Sequence, residues 1–260
     1  MIYAKKSLGQ NFLKDKNIIK KIVSLLKIKG KHIIEIGPGD GALTNEILNE
    51  KPKSLKIIEK DFYLSNKLME KYCNNKNLKV FNDDILKFNL DKIIKKNTII
   101  FGNLPYNISS QIFIKIIKLK NWEENINGVV FMFQKELGEK IISKFPSINY
   151  GRLSILANLK IIIKNKFMVS PNCFFPKPKV TSMVIHFTPS KTNLFKIKNI
   201  ASLENVTNIL FSNKRKMINK NIKKILSEEQ ISNLKDLTLN SRPSDIKPQL
   251  YYKITELFEK

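Results

Sequence analysis

The chain is poor in the residues that carry much enzyme chemistry. Its 260 residues include two cysteines, Cys73 and Cys173, and two histidines, His32 and His186. The cysteines stand far apart and make neither a metal-ligand spacing nor a disulfide framework, so no metal is expected. Both histidines lie inside apolar, strand-like runs, which suits packing better than catalysis. Long hydrophobic runs are missing too. No stretch reaches membrane-spanning length, and residues 1–15 lack the apolar core of a secretory signal. The expected setting is the cytoplasm, with no membrane partner. Arginine is also scarce: of 47 basic residues only Arg152, Arg215 and Arg242 are arginine. The chain is heavy in Lys, Ile and Asn, a bias spread over the whole sequence. Even discounted for that bias, a formal charge of +25 attracts polyanions and permits an RNA partner.

What is present is an ordered series of strand, turn and helix signals, in a chain long enough for a full core. The run NTIIFGNLPYNIS, from Asn97 to Ser109, is the most informative. Thr98 to Phe101 suit a buried strand that breaks at Gly102-Asn103. Pro105 then bars a continued ladder and holds Leu104 out of the helical region. Asn103 is thereby set at the carboxyl end of a strand, where ligands bind in open α/β sheets. Such a tetrad suits methylation of an exocyclic amine. The Asn103 side-chain carbonyl and the Leu104 backbone carbonyl can accept the two amine hydrogens, Pro105 shapes the loop, and Tyr106 offers a face for stacking. An ordinary turn is the plainer reading of these four residues alone.

Upstream, HIIEIGPGDG at 32–41 joins a short strand to a helix through Gly37, Gly39 and Gly41. This is not the GxGxxG of dinucleotide sites. With Glu35 two positions before Gly37 it fits S-adenosylmethionine, which has no pyrophosphate to cradle; a tight turn needing glycine for its own sake is the alternative. A second strand, SLKIIE at 54–59, ends on Glu59, placed to accept from a ribose. Asp61 caps a helix through Tyr72. A third strand, Leu78 to Phe81, precedes Asp83 and Asp84, either of which can accept from an adenine amino group or simply be solvated. The NLPY strand is the fourth. Ile108–Leu119, Gln134–Ser143 and Tyr150–Leu159 read as helices, and strands follow at 126–133, 161–169 and 181–187. QNFL at 10–13 has a plain reading as a helix lead-in, ahead of a helix capped by Asp15 or Asn17. Between the last two strands, SPNCFFPKPKV is loop-like, with Phe174 ahead of Phe175 as a second stacking face for a base, or both rings packed inward. After Pro189 only helical periodicities appear, at about 199–212, 215–226, 228–236 and 245–258. The expected architecture is a seven-stranded Rossmann-like α/β domain, residues 1–190, and a small all-α domain, residues 191–260. Lys214, Arg215 and Lys216 mark a helix junction there, as phosphate contacts or as a solvated cluster.

These motifs, taken in order, resemble the bacterial ribosomal small-subunit RNA adenine dimethyltransferases. The resemblance rests on LGQNFL at 8–13, EIGPG at 35–39, Glu59, Asp84, FGNLPYNIS at 101–109, FQKE at 133–136, YGRLS at 150–154 and PKPKV at 176–180. Phe211 to Lys216 and RPSDI at 242–246 are similar too. It implies transfer of four methyl groups from S-adenosylmethionine to two adjacent adenosines near the 3′ end of small-subunit rRNA, within an immature 30S subunit. It also implies a role in subunit biogenesis, an RNA-contacting helical domain and a monomeric protein. By motif, cofactor contacts fall to Asn11, Leu13, Gly37, Glu59, Asp84 and Asn103. The target base falls to Asn103, Leu104, Pro105 and Tyr106, with Phe174 as the second stacking face. A large-subunit rRNA adenine methyltransferase of the antibiotic-resistance type is the nearest alternative. A weakly catalytic assembly factor is another. DNA enzymes usually carry Pro-Pro-Tyr, so no DNA substrate is expected.

Overall fold

The computed structural model describes residues 9–191 and 194–260. Leu8 of the LGQNFL motif and two positions of the polar stretch after Pro189 lie outside the described residues. Phe12–Leu13 forms a two-residue strand, β1. Asp15 then caps α1 (Lys16–Val23) by accepting from the Asn17 and Ile18 amides. There follow β2 (His32–Ile36), α2 (Ala42–Asn49), β3 (Ser54–Glu59), α3 (Phe62–Lys71), β4 (Leu78–Asn82), β5 (Thr98–Asn103), α4 (Ser109–Ile117), α5 (Trp122–Asn125) and β6 (Ile126–Gln134). Next come α6 (Lys135–Ile142), α7 (Arg152–Lys160), β7 (Ile161–Val169), β8 (Phe174–Phe175) and β9 (Ser182–Pro189). The remaining helices are α8 (Ile200–Leu210), α9 (Asn219–Ile222), α10 (Glu228–Ser232) and α11 (Pro248–Phe258).

Strands β2 and β5 are nearly unbroken apolar runs rather than alternating ones, the pattern of parallel strands covered on both faces. They lie side by side in a seven-stranded sheet ordered β4-β3-β2-β5-β6-β9-β7. The pairs from β4 across to β6 are parallel, and β9 returns antiparallel to β6. The chain runs outward from β2 to β3 and β4, then crosses to β5 on the other side of β2. That reversal opens a crevice at the carboxyl ends of β2 and β5, where such sheets bind ligands. His186 is packed into β9, and His32 lies 2.7 Å from Ser54 Oγ; burial lowers both imidazole pKa values.

Five expectations need correcting. Strand β5 does not break at Gly102 but continues to Asn103, because Gly102 still pairs with Ile36 and Phe131. A side chain at Gly102 would meet Leu104 at 2.7 Å, so glycine keeps the strand flat against its neighbours. Residues 12–13 are not a helix lead-in, and the proline-rich segment is not all loop. Phe12 pairs with Phe175 and Leu13 with Phe174, antiparallel, so each segment supplies the other's missing ladder. Residues 139–161 do not go with the sheet, so the chain does not divide at one boundary. Described residues up to Gly138 form one unit with Ile162–Pro189, and Glu139–Ile161 join the helical unit with Ser190–Lys260. Long-range tyrosine bonds hold them there: Tyr150 donates to the Ile246 carbonyl and Tyr252 to the Ile155 carbonyl, both at 2.9 Å. Finally, the helix expected over 215–226 shortens to α9, and the exposed Lys214 to Lys216 lie in a turn ahead of it.

Candidate active site

The glycine turn after β2 is built around a single carboxylate. Glu59, at the end of β3, accepts from the Gly39 amide at 3.2 Å through one oxygen and from the Asp61 amide at 2.8 Å through the other. A carboxylate has about four acceptor positions, so acceptor capacity remains for a ligand's hydroxyls. Glu59 is only 7% exposed, and burial raises its pKa while the Asp61, Gly39 and Lys60 amides oppose that rise. Gly39 must be glycine on two grounds. Its φ is +60°, and a Cβ there would sit 2.9 Å from the Phe12 ring. Asp84, beyond β4, accepts from Lys60 Nζ at 2.9 Å and from the Leu86 amide at 2.9 Å. The Lys60 hydrogen bond holds its carboxyl below the usual range. Asp83 has turned to bind the Asp84 amide at 2.7 Å, so the strand end presents Asp84.

On the β5 side, Asn103 Nδ2 donates to the Asn11 carbonyl at 2.9 Å. The amide is therefore fixed with nitrogen toward the N-terminal segment, and no described donor reaches Oδ1. The Tyr106 hydroxyl lies 2.6 Å from Ser182 Oγ, and Ser109 Oγ donates to the Tyr106 carbonyl at 3.1 Å. Both contacts pin the loop after Pro105. Burial raises the Tyr106 pKa, so the phenol stays protonated. One cleft is lined by Asn11, Leu13, Gly37, Glu59, Asp84, Asn103, Leu104, Pro105 and Tyr106. The structure thus brings together every sequence-predicted site residue but one.

Phe174 is the exception. It is 5% exposed, packs in the apolar core with Leu13, and does not line the cleft, whereas Phe175 is 63% exposed. The sequence reading ranked them the other way. The cause is the β8 strand itself: successive strand residues face opposite sides, so pairing with β1 sends one ring inward and the other out. Sequence reasoning also missed Phe12, which lies against Gly39 and lines the cleft. Its signal was the lack of room for a side chain at Gly39, which spacing alone does not reveal. Among the described residues no group of three or more His, Cys, Asp or Glu is placed to hold a metal ion, and no helix is long and apolar enough to cross a membrane.

Behind the turn, Glu35 is fully buried on β2. Thr44 Oγ1 donates to its Oε2 at 2.7 Å, and its Oε1 is buried without a partner. Burial, with a smaller push from Glu59, raises its carboxyl from 4.5 up to about 8. Between those two values the folded chain holds a proton that the unfolded chain has released. Stability therefore falls as pH rises through that window, by about 1.4 kcal/mol per pH unit. Glu35→Gln keeps an acceptor for Thr44 and cannot ionise. Urea midpoints measured from pH 5 to 8 should fall less in the variant than in the parent chain. Parallel pH profiles would refute a protonated Glu35.

The whole chain, residues 1–260, matches the family model described as ribosomal RNA adenine dimethylase. It is 42% identical over 259 residues to a protein of Pelagibacter ubique (strain HTCC1062) named ribosomal RNA small subunit methyltransferase A, covering 99% of this chain and 98% of that one. A protein of the same name from Malacoplasma penetrans (strain HF-2) is 40% identical over 257 residues, covering 97% and 91%. Among solved structures, a dimethyladenosine transferase from Plasmodium falciparum is similar at a TM-score of 0.74, with 25% identity over 94% of this chain and 95% of that chain. The 23S rRNA methyltransferase ErmE shares the fold at a TM-score of 0.68, with 20% identity over 96% and 100%.

Proposed function

Because the chain belongs to the ribosomal RNA adenine dimethylase family, we propose that it transfers four methyl groups from S-adenosylmethionine to the N6 atoms of two adjacent adenosines near the 3′ end of small-subunit rRNA. The substrate is the immature 30S subunit, and the enzyme acts as a monomer. The relatives at 40–42% identity carry small-subunit names, which favours that subunit; the likeness to ErmE is one of fold and favours neither.

The cleft residues fit the cofactor. Gly37 and Gly39 leave room that a Cβ would take, and Glu59 and Asp84 keep unused acceptor positions for ribose hydroxyls and an adenine amino group. Asn11, Leu13 and Asn103 close the remaining side. The lining is rich in carboxylates, with Asp40, Glu59, Asp83 and Asp84 among them, in a chain of charge +25. Such a lining repels a pyrophosphate and favours a cation. S-adenosylmethionine, when bound, supplies a methyl group on positively charged sulfur.

The fixed amide of Asn103 is the observation that carries this assignment. An adenine amino nitrogen is a poor nucleophile because its lone pair is delocalised into the ring. Asn103 Oδ1 and the Leu104 carbonyl accept its two hydrogens and favour a tetrahedral nitrogen whose lone pair is free to attack. Pro105 stiffens the loop, and Tyr106, anchored through Ser182, gives the base a surface to stack on. The nitrogen's proton leaves to water, so no general base is needed. Positioning and preorganised acceptors provide the catalysis. Radiolabelled methyl transfer to separated, unmethylated subunits tests the reading: label is expected on the small subunit alone. Label on the large subunit would move the chain to the resistance-type activity.

A further inference from the structure

The helical unit has a recess of its own. Its volume is about 430 Å³, within the roughly 300–1,000 Å³ of sites that take small molecules. Phe145, Leu159, Phe195 and Tyr252 form an apolar wall. Two of these rings are held in place. Tyr252 is buried, with its hydroxyl on the Ile155 carbonyl at 2.9 Å, and Phe195 meets it edge-on, 4.9 Å between centroids. The backbone beside Phe195 is tied to α11 and its end. The Lys196 amide donates to Glu256, and the Lys198 and Asn199 amides donate to Glu259 at 2.6 and 3.0 Å.

The polar lining is selective. Asn158 Nδ2 donates to the Ser143 carbonyl at 3.3 Å, which leaves its Oδ1 to accept. Gln249, exposed on the first turn of α11, offers a donor and an acceptor together. Lys144 and Lys247 add two exposed cations to the lining. A flat ring with a hydrogen-bonding edge and phosphates on either side uses all of these groups. An apolar protein side chain would leave the amides and cations unused, and a basic peptide would be repelled.

We propose that this recess holds one unpaired nucleobase of the RNA substrate, stacked on Phe195 and read at its edge by Asn158 and Gln249. The proposal rests on rRNA being the substrate. It gives the helical unit a base contact of its own, beyond general attraction to phosphate.

The test uses the full chain and unmethylated small subunits. Phe195→Ala is expected to raise KM for the subunit roughly five- to 100-fold, the worth of about one base–aromatic stack, without changing kcat or cofactor affinity. Phe195→Trp should restore it. Gln249→Ala, at an exposed position that carries no packing, should raise KM several-fold. Chemical probing of the rRNA should find one base that the parent chain protects and that both alanine variants expose, with other protections intact. Unchanged KM and unchanged base reactivity in both variants, while subunits are still bound and methylated, would overturn the proposal. So would cross-linking of the recess to a ribosomal protein in place of RNA. Failure of the parent chain to bind any RNA would overturn the substrate assignment itself, and this proposal with it.

Discussion

Asn103→Ala is expected to lose at least about a thousandfold in kcat while RNA binding is largely kept. The loss follows from two contacts made by one side chain. In the proposed mechanism Oδ1 is one of two acceptors for the target amine, and Nδ2 holds the amide in that orientation through the Asn11 carbonyl. Removing one preorganised group at a developing charge typically costs about 10²–10³; loss of the orientation adds to it. Asn103→Asp separates the two contributions. It keeps an acceptor but places a second oxygen against the Asn11 carbonyl, so it should fall between the parent chain and alanine. Single-turnover methyl transfer, with RNA binding measured alongside, checks both. Transfer at parental rates in Asn103→Ala would exclude the acceptor mechanism.

Glu59→Ala is expected to weaken S-adenosylmethionine binding by about a hundredfold or more. Glu59 receives the Gly39 and Asp61 amides, and on the proposed reading its remaining acceptor positions take the ribose hydroxyls. Hydrogen bonds to a charged group are worth about 1.5–3 kcal/mol each, so losing two ligand bonds alone accounts for that factor. The variant also leaves the Gly39 amide without its partner and loosens the turn. Glu59→Gln, which retains one acceptor in place, should lose about tenfold. Equilibrium binding of the cofactor to each variant decides the matter, and an unchanged Kd in Glu59→Ala would remove Glu59 from the ribose.

The candidate cleft was legible in the sequence because its determinants are local. A strand end, a glycine with positive φ and an acid at the next strand end are each written within a few residues. The parallel sheet then brings Gly37, Glu59, Asp84 and Asn103 to one edge without further instruction. Phe12 and Phe174 were misjudged because their places depend on pairing between segments far apart in the chain. Nothing in QNFL or in CFFP announces that Phe12 will face Phe175. The same holds for residues 139–161: their helix is evident from sequence, but their attachment to α11 depends on Tyr150 and Tyr252 reaching carbonyls at Ile246 and Ile155. Glu35 was visible as part of a motif, yet its burial beneath Thr44, and hence its retained proton, was not.

The most direct test of the central claim is the product itself. Unmethylated small subunits would be reacted to completion with the full chain and S-adenosylmethionine, and the rRNA digested and sequenced for modified nucleosides. The account predicts four methyl groups per subunit, all as N6,N6-dimethyladenosine at two adjacent positions near the 3′ end. Methyl groups on any other base, or adenosine methylated only in the large subunit, would contradict it.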